Sequence, residues 1–551
     1  MSTGMTAATK PLFAPFEKWV WQMPTHFNIG VACTDRHLGT PTESAIAMIV
    51  EDDALGTSEI SFSALAKRTS QFAQLLRDLG VELGDRVLIR LPNSLDYPTA
   101  FLGAMKRGAI SVPTSTLLTP DEVVYLAKDS GAKVLVTDKA AWKDLREGLS
   151  GLSGLTHVLL CGEGECLPAA GMQVLDMANS LKNIEQWQAP HQTKPEDPAY
   201  LVYTSGTTGY PKGVLHAHRS MIGREPASKY WFDFSPTGDR IMHSGKFNWT
   251  YVLGTGLMDP LYQGKTVIVH EGKNDANTWP RLIQKHQATI FIGVPTIYRQ
   301  ILQKTEFVQK DLPSLRYCMS AGEHLSDEVL TQWNERFGID IYEAVGMSEF
   351  SYYLCETKSR PIRPGSAGFP QPGHEIALLD PETLTPVAQG EEGVICVPDN
   401  DPGLFLHYWN QPEETAKHKH DGWFVTGDFA RMDEDGYIWF LGRKDDIIKS
   451  FGFRVSPYEV ERVLKSHPEV ADCASVAETI EKDKVLVVAY IIPQPGSQIT
   501  ADDLYAYGKK HLAAYKAPKV VYITDQFPRT KNGKILRRDI NPSIALSRSS
   551  T

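Results

Sequence analysis

The sequence predicts an α/β protein: a large N-terminal domain of α/β subdomains with mainly parallel sheets, then a small C-terminal α+β domain. Three observations predict it. From Gly84 onward, short β-branched runs alternate with helical stretches, the pattern of a parallel sheet covered on both faces. The chain has 551 residues, too many for one compact core. A polar cluster around Arg443 is followed by a tail with its own helices and strands.

Residues 1–80 carry mixed helical patterns and little visible chemistry. Val87-Leu88-Ile89 reads as a strand, Tyr97 to Met105 as a helix and Ala109 to Val112 as a second strand. Pro120 to Lys128 is helical, and Lys133 to Thr137 is a third strand. Tyr200-Leu201-Val202-Tyr203 is a buried strand that breaks into a loop of small residues, and Thr289 to Pro295 is another buried run. Asp435-Gly436-Tyr437 reads as a hairpin turn. In the tail, Pro457 to Lys465 is a helix with Glu459 and Glu461 early, where the helix dipole favours acids. Val470 to Val476 and Val485 to Ile492 are strands, and Ala501 to Leu512 is a helix. The expected domains are 1–443 and 444–551.

Composition narrows the function. Hydrophobic content of 42% and charged content of 22% are those of a globular enzyme. A formal net charge of −10 argues against a nucleic-acid binder. Seven cysteines are scattered with no C-x-x-C pair, which fits a reducing cytoplasm. The N-terminus has no apolar h-region, and no run reaches the ~20 apolar residues of a membrane span. The expected location is cytoplasmic.

The chemistry starts at Ala199–Gly213, AYLVYTSGTTGYPKG. Thr204, Ser205, Thr207 and Thr208 supply hydroxyls, Gly206 and Gly209 let the backbone approach a ligand, and Lys212 adds a compact cation. Together these suit a polyphosphate. No Gly-Lys-Ser/Thr opens a helix, so this is not the ATPase P-loop. Further on, Tyr317 to Glu323 (YCMSAGE) ends a strand in Ala321, Gly322 and Glu323. Tyr342 to Glu349 (YEAVGMSE) carries Glu343, Ala344, Val345, Gly346, Ser348 and Glu349. A hydroxyl beside a hard carboxylate oxygen suits a phosphate and Mg²⁺. In DGWFVTGD, Asp428 is read on a tight turn as the candidate acceptor for two ribose hydroxyls; in LGRKDDIIKSFGFR, Arg443 is the candidate cation for ribose or phosphate. Near the end, Asn532-Gly533 places Lys534 at a loop tip.

These motifs, in this order, resemble the adenylate-forming superfamily of acyl-CoA synthetases, peptide-synthetase adenylation domains and luciferases. They cover roughly residues 200 to 540. Asn28 to Arg36 adds a weaker likeness to acetyl-CoA synthetase relatives. The resemblance implies ATP, Mg²⁺ and coenzyme A as cofactors and co-substrates. Its catalytic residues carry over to Lys534, Thr204 and Glu349, with Glu349 also the metal ligand. It implies nucleotide or CoA contacts at Ser205, Gly206, Thr207, Thr208, Gly209, Lys212, Ala321, Gly322, Glu323, Glu343, Ala344, Val345, Ser348, Asp428, Arg443, Gly452 and Arg454. It implies a mobile small domain rotating about Asp445, exchanging Lys534 for the Gly452 loop. Met242 to Gly256 reads by composition as core packing; the resemblance makes it a wall of the acyl pocket and Trp249, with Gly322 and Gly346, a pocket residue.

Two departures set the substrate expectation. Val345 stands where many relatives have an adenine-stacking tyrosine, a feature resembling the benzoate-CoA ligase and medium-chain acyl-CoA synthetase branch. Gly346 stands where acetate-restricted relatives close the pocket with tryptophan. The expectation is an AMP-forming ligase for an aryl or medium-chain acid. The alternatives are a stand-alone adenylation enzyme loading a carrier protein, a luciferase-like oxygenase and a non-catalytic nucleotide-binding relative. No nucleic-acid partner is expected. A homodimer and a protein acetyltransferase acting on Lys534 are the further partners admitted, since acetylation removes the charge.

Overall fold

The computed structural model describes residues 19–204, 211–236, 238–322, 325–443, 446–450, 453–481, 484–512, 514, 516–529 and 535–549. Among them, the first large sheet has eight strands. Its spatial order is His407–Tyr408, Lys212–Ala217, Pro198–Thr204, Ile110–Pro113, Arg86–Arg90, Ala132–Asp138, His157–Cys161 and Gln173–Asp176. The six strands from Pro198–Thr204 to Gln173–Asp176 run parallel; the other two are antiparallel additions at one edge. The second sheet has nine strands, with Tyr317–Ala321 and Ile341–Val345 parallel neighbours near one edge. A five-stranded antiparallel sheet follows, in which Trp423–Met432 and Ile438–Arg443 pair across the expected Asp435-Gly436 turn.

Local chemistry explains the elements. The helix Pro120–Ser130 begins with a reciprocal cap: Thr119 Oγ1 accepts from the Glu122 amide while Glu122 returns to the Thr119 amide at 2.7 Å. Pro120 fits the first turn, and Gly131 ends the helix at φ 62°. The strands between helices are apolar on both faces: Val87, Leu88, Ile89, Val134, Leu135 and Val136 are all fully buried.

The small domain has its own core. The helix Pro457–Lys465 starts at Ser456, whose side chain caps the Glu459 amide. It packs with the helix Ala501–His511 on a mixed sheet of Val470–Glu481, Lys484–Pro493, Val520–Ile523 and Ser547–Arg548. The fold class is thus the expected one.

The N-terminal eighty residues match their helical reading at Phe62–Asp78 and depart from it just before that helix. Ile46–Asp52 and Gly56–Ser61 are strands, and the first runs parallel to Thr266–Glu271. Met48, Ile49 and Val50 are buried on both sides of the sheet, so their contiguous apolar run carries no alternation to mark a strand. No helix among the described residues is long and apolar enough to cross a membrane.

Candidate active site

A cleft opens beyond the carboxyl ends of Tyr317–Ala321 and Ile341–Val345, the place where such sheets bind ligands. One wall is Gly322 with Glu343, Ala344, Val345 and Gly346; Gly365, Ser366 and Ala367 form a second. Asp428, Phe440 and Arg443 close it from the five-stranded sheet, and Tyr458 reaches it from the small domain.

Asp428 lies mid-strand rather than on the expected tight turn, opposite Arg443 in the antiparallel register that carries the Thr-Gly-Asp run through the sheet. Arg443 Nε is 3.5 Å from Asp428 Oδ1, and the Tyr353 hydroxyl donates to Oδ2 at 3.4 Å. The carboxylate is 3% exposed, so its partners fix its aim. The Asp428 charge, with Glu349 adding, raises the Arg443 pKa against burial, which lowers it. The guanidinium therefore stays charged between two carboxylates.

Glu349 is buried, and its Oε1 accepts from the Tyr408 hydroxyl at 2.7 Å. Its neighbour Ser348 is held through the main chain: His216 lies 2.8 Å from the Ser348 carbonyl oxygen. A carbonyl only accepts, so His216 carries its proton on Nε2. Burial pushes the imidazole pKa down to about 3, so it is neutral, and it stacks on Tyr200 with ring centres 4.6 Å apart. On the adjoining strand, Thr204 faces Lys212 across the antiparallel pair that brackets the glycine loop. Lys212 pairs with Glu414, which holds that carboxyl below its ordinary pKa.

Trp249 and Gly322 are brought together: a Cβ on Gly322 would lie 3.3 Å from the indole. Gly346 lines the cleft, but for a different reason than expected. A Cβ there would fall 2.1 Å from the Tyr352 amide nitrogen. The turn Gly346–Tyr352 folds back on itself, and glycine is the residue that permits it. Tyr352 has φ 22°, and its hydroxyl donates to Asp259, whose other oxygen pairs with the buried Arg224 at 3.1 Å. The glycine is thus required by backbone approach, and its identity alone does not measure the pocket. Gly346→Ala is expected to cost about 1–3 kcal/mol as overpacking and to lower turnover of every acid alike. Thermal unfolding and an acid panel check this; unchanged stability with loss of only the larger acids would contradict it.

Glu343 carries a further feature. Its amide donates to Glu356 Oε2 at 3.0 Å, and its own Oε1 accepts from the Leu325 amide at 3.1 Å. Burial pushes Glu356 up to about 8, with Asp340 adding to the rise. Burial and the neighbouring Glu356 raise Glu343 well above the ordinary carboxylate range. The folded chain thus holds protons that the unfolded chain has released, so stability falls as pH rises from about 4.5 through about 8. Glu356→Gln is expected to flatten that fall between about pH 5 and pH 8. Melting curves across the range test it; parallel curves for both proteins would refute the assignment.

Ser205, Gly206, Thr207, Thr208, Gly209, Glu323, Asp445, Gly452 and Lys534 lie outside the described residues, as does the side chain of Arg454. The hairpin strands Ile448–Ser450 and Phe453–Val455 bracket Gly452. Ala321 ends its strand beside the cleft wall.

Residues 39–409 match the family model described as AMP-binding enzyme, and residues 459–534 match the AMP-binding enzyme C-terminal domain. The chain belongs to the AMP-binding enzyme family. It is 33% identical to the benzoate–CoA ligase of Thauera aromatica, over 88% of this chain and 90% of that one. It is 29% identical to the human mitochondrial acyl-coenzyme A synthetase ACSM3, over 87% and 82%. The anthranilate CoA ligase AuaEII, solved with anthranoyl-AMP, superposes with a TM-score of 0.82 at 31% identity, covering 93% of this chain and 96% of that one. As a family member the chain is an AMP-forming acyl-CoA synthetase, an acid–thiol ligase that uses ATP and CoA.

Sequence reasoning missed Tyr353, Tyr408, Tyr458, His216 and Glu356. Only His216 had a usable signal, since it stands four positions after Lys212 on the strand leaving the glycine loop.

Proposed function

We propose that the acid is an aryl or medium-chain carboxylate, with an aromatic acid the better substrate. One observation carries the nucleotide side of this reading: Asp428 and Arg443 face the Glu343–Gly346 wall across one cleft. The similarity to benzoate–CoA ligase and to the anthranoyl-AMP complex supports the aryl side. Trp249 over Gly322 supplies a flat apolar surface next to that cleft.

In the first half-reaction the acid carboxylate attacks the α-phosphorus of ATP. The P–O bond to pyrophosphate breaks, and acyl-AMP forms. Asp428 accepts from the ribose hydroxyls, Lys212 leaves Glu414 for the phosphates, and Lys534 offsets the charge where the two anions meet. In the second, the CoA thiol loses its proton to solvent, its sulfur attacks the acyl carbonyl, and the anhydride C–O bond breaks so that AMP leaves with the bonding electrons. The two domains 1–443 and 444–551, hinged at Asp445, would alternate Lys534 and Gly452 in one site.

Mg²⁺ fits the donor set. Among the described residues no three acidic, His or Cys side chains form a metal cage. Mg²⁺ needs none, since it keeps waters and takes one or two carboxylates plus substrate phosphates. Glu349 is the carboxylate, and when bound the ion would offset phosphate charge. The seven scattered cysteines with no C-x-x-C pair support a reducing, cytoplasmic setting. An acetyltransferase acting on Lys534 would silence the first step by removing its charge.

The test is a steady-state panel from acetate to decanoate with benzoate, hydroxybenzoates, phenylacetate and cyclohexanecarboxylate. The expected result is kcat/KM for an aryl acid at least tenfold above acetate, with thioester formed only when CoA is present. Acetate as the best substrate would overturn the acid assignment. Pyrophosphate release with a carrier protein as the sole acceptor would favour the carrier-loading alternative.

A further inference from the structure

The strand His407–Tyr408 zips onto the outer edge of Lys212–Ala217, with Tyr408 opposite Val214. That placement sets one side chain against two parts of the site. The Tyr408 ring centre is 5.7 Å from the Lys212 ammonium, and its hydroxyl donates to Glu349 Oε1 at 2.7 Å. Tyr408 is itself fixed. It is 4% exposed, its amide donates to Thr415 Oγ1 at 3.0 Å, and its ring meets Phe405 edge-on at 4.9 Å. Among the described residues, no donor contacts Glu349 Oε2, and the Glu349 carbonyl accepts from the Phe405 amide at 2.8 Å. Main chain and one carboxylate oxygen are therefore both tied to the segment Phe405–Tyr408.

We propose that Tyr408 is a positioning residue for Glu349: its hydroxyl occupies Oε1 and commits Oε2 to the cation that accompanies ATP. A carboxylate with both oxygens loose swings about its terminal bond, and its affinity for a cation falls with the share of time it is misaligned. A phenol is suited to the task. Its O–H is buried and aimed at Oε1. Phenylalanine in its place keeps the ring against Lys212 and Phe405 and removes the hydroxyl alone. The proposal rests on the AMP-forming reading of the site.

The experiment is a Mn²⁺ titration followed by electron paramagnetic resonance, with α,β-methylene-ATP bound to wild type and to Tyr408→Phe. The expected result is a Mn²⁺ Kd about tenfold weaker in the variant. The nucleotide Kd measured in EDTA should be unchanged. In the Glu349→Gln background, Tyr408→Phe should add less than about twofold, because its effect passes through that carboxylate. Circular dichroism melting confirms folding; if Tyr408→Phe does not fold, Tyr408→His, which restores a donor, is expected to hold Mn²⁺ within about threefold of wild type. Equal Mn²⁺ affinity in wild type and Tyr408→Phe, a full additive loss in the Glu349→Gln background, or a Tyr408→His protein that folds but binds Mn²⁺ tenfold weaker would each overturn the proposal. Acid-dependent ATP–pyrophosphate exchange by the wild type, run alongside, separates this failure from failure of the ligase reading.

Discussion

Alanine in place of Lys534 is expected to abolish the first half-reaction and spare the second. Acid-dependent ATP–pyrophosphate exchange should fall by about 10²–10³, the loss typical of removing one preorganised charge from a transition state. Thioester formation from supplied acyl-AMP and CoA should stay within a few-fold of wild type. The reasoning is electrostatic. A carboxylate and a triphosphate repel, and a cation held where charge shifts offsets that repulsion; attack of a thiol on an anhydride carbonyl has no such need. Gly452→Trp should do the reverse, blocking close approach of backbone to the thiol while leaving exchange intact. Equal loss of both steps in Lys534→Ala would refute the division of labour.

The second large effect is expected at Asp428. Its carboxylate is buried, flanked by Tyr353 and Arg443, and open to the cleft. Hydrogen bonds to a charged group contribute about 1.5–3 kcal/mol each, and two ribose hydroxyls give two of them. Asp428→Ala is therefore expected to weaken AMP binding by at least a hundredfold, with the KM for the acid little changed. Calorimetric titration with AMP measures this directly. Wild-type affinity in the variant would remove Asp428 from the ribose site.

What could be read in advance follows a physical rule. Gly322, Glu343–Gly346, Asp428 and Arg443 were legible because each sits in a short contiguous motif, all but the mid-strand Asp428 at the end of a strand. The parallel strands Arg86–Arg90 and Ala132–Asp138 were legible because their burial leaves apolar runs bounded by capped helices. Tyr408 was not, because it meets Glu349 from 59 positions away through an edge pairing no local pattern encodes. Tyr458 enters the cleft from another domain, and Glu356 faces Glu343 only once two strands pair. Ile46–Asp52 has its partner strand far along the chain, with the Thr266 hydroxyl reaching the Ile46 carbonyl across 220 positions. Gly346 shows a subtler limit. The residue lines the cleft, but the backbone of Tyr352, not the volume of a substrate, requires a glycine there.

The measurement that tests the central claim most directly is the product stoichiometry with a single aryl acid, ATP, Mg²⁺ and CoA. Chromatography with mass detection should find AMP, pyrophosphate and aryl-CoA in equal amounts, and exchange of labelled pyrophosphate into ATP that needs the acid but not CoA. Release of ADP and phosphate, or of AMP with no thioester when CoA is present, would contradict it.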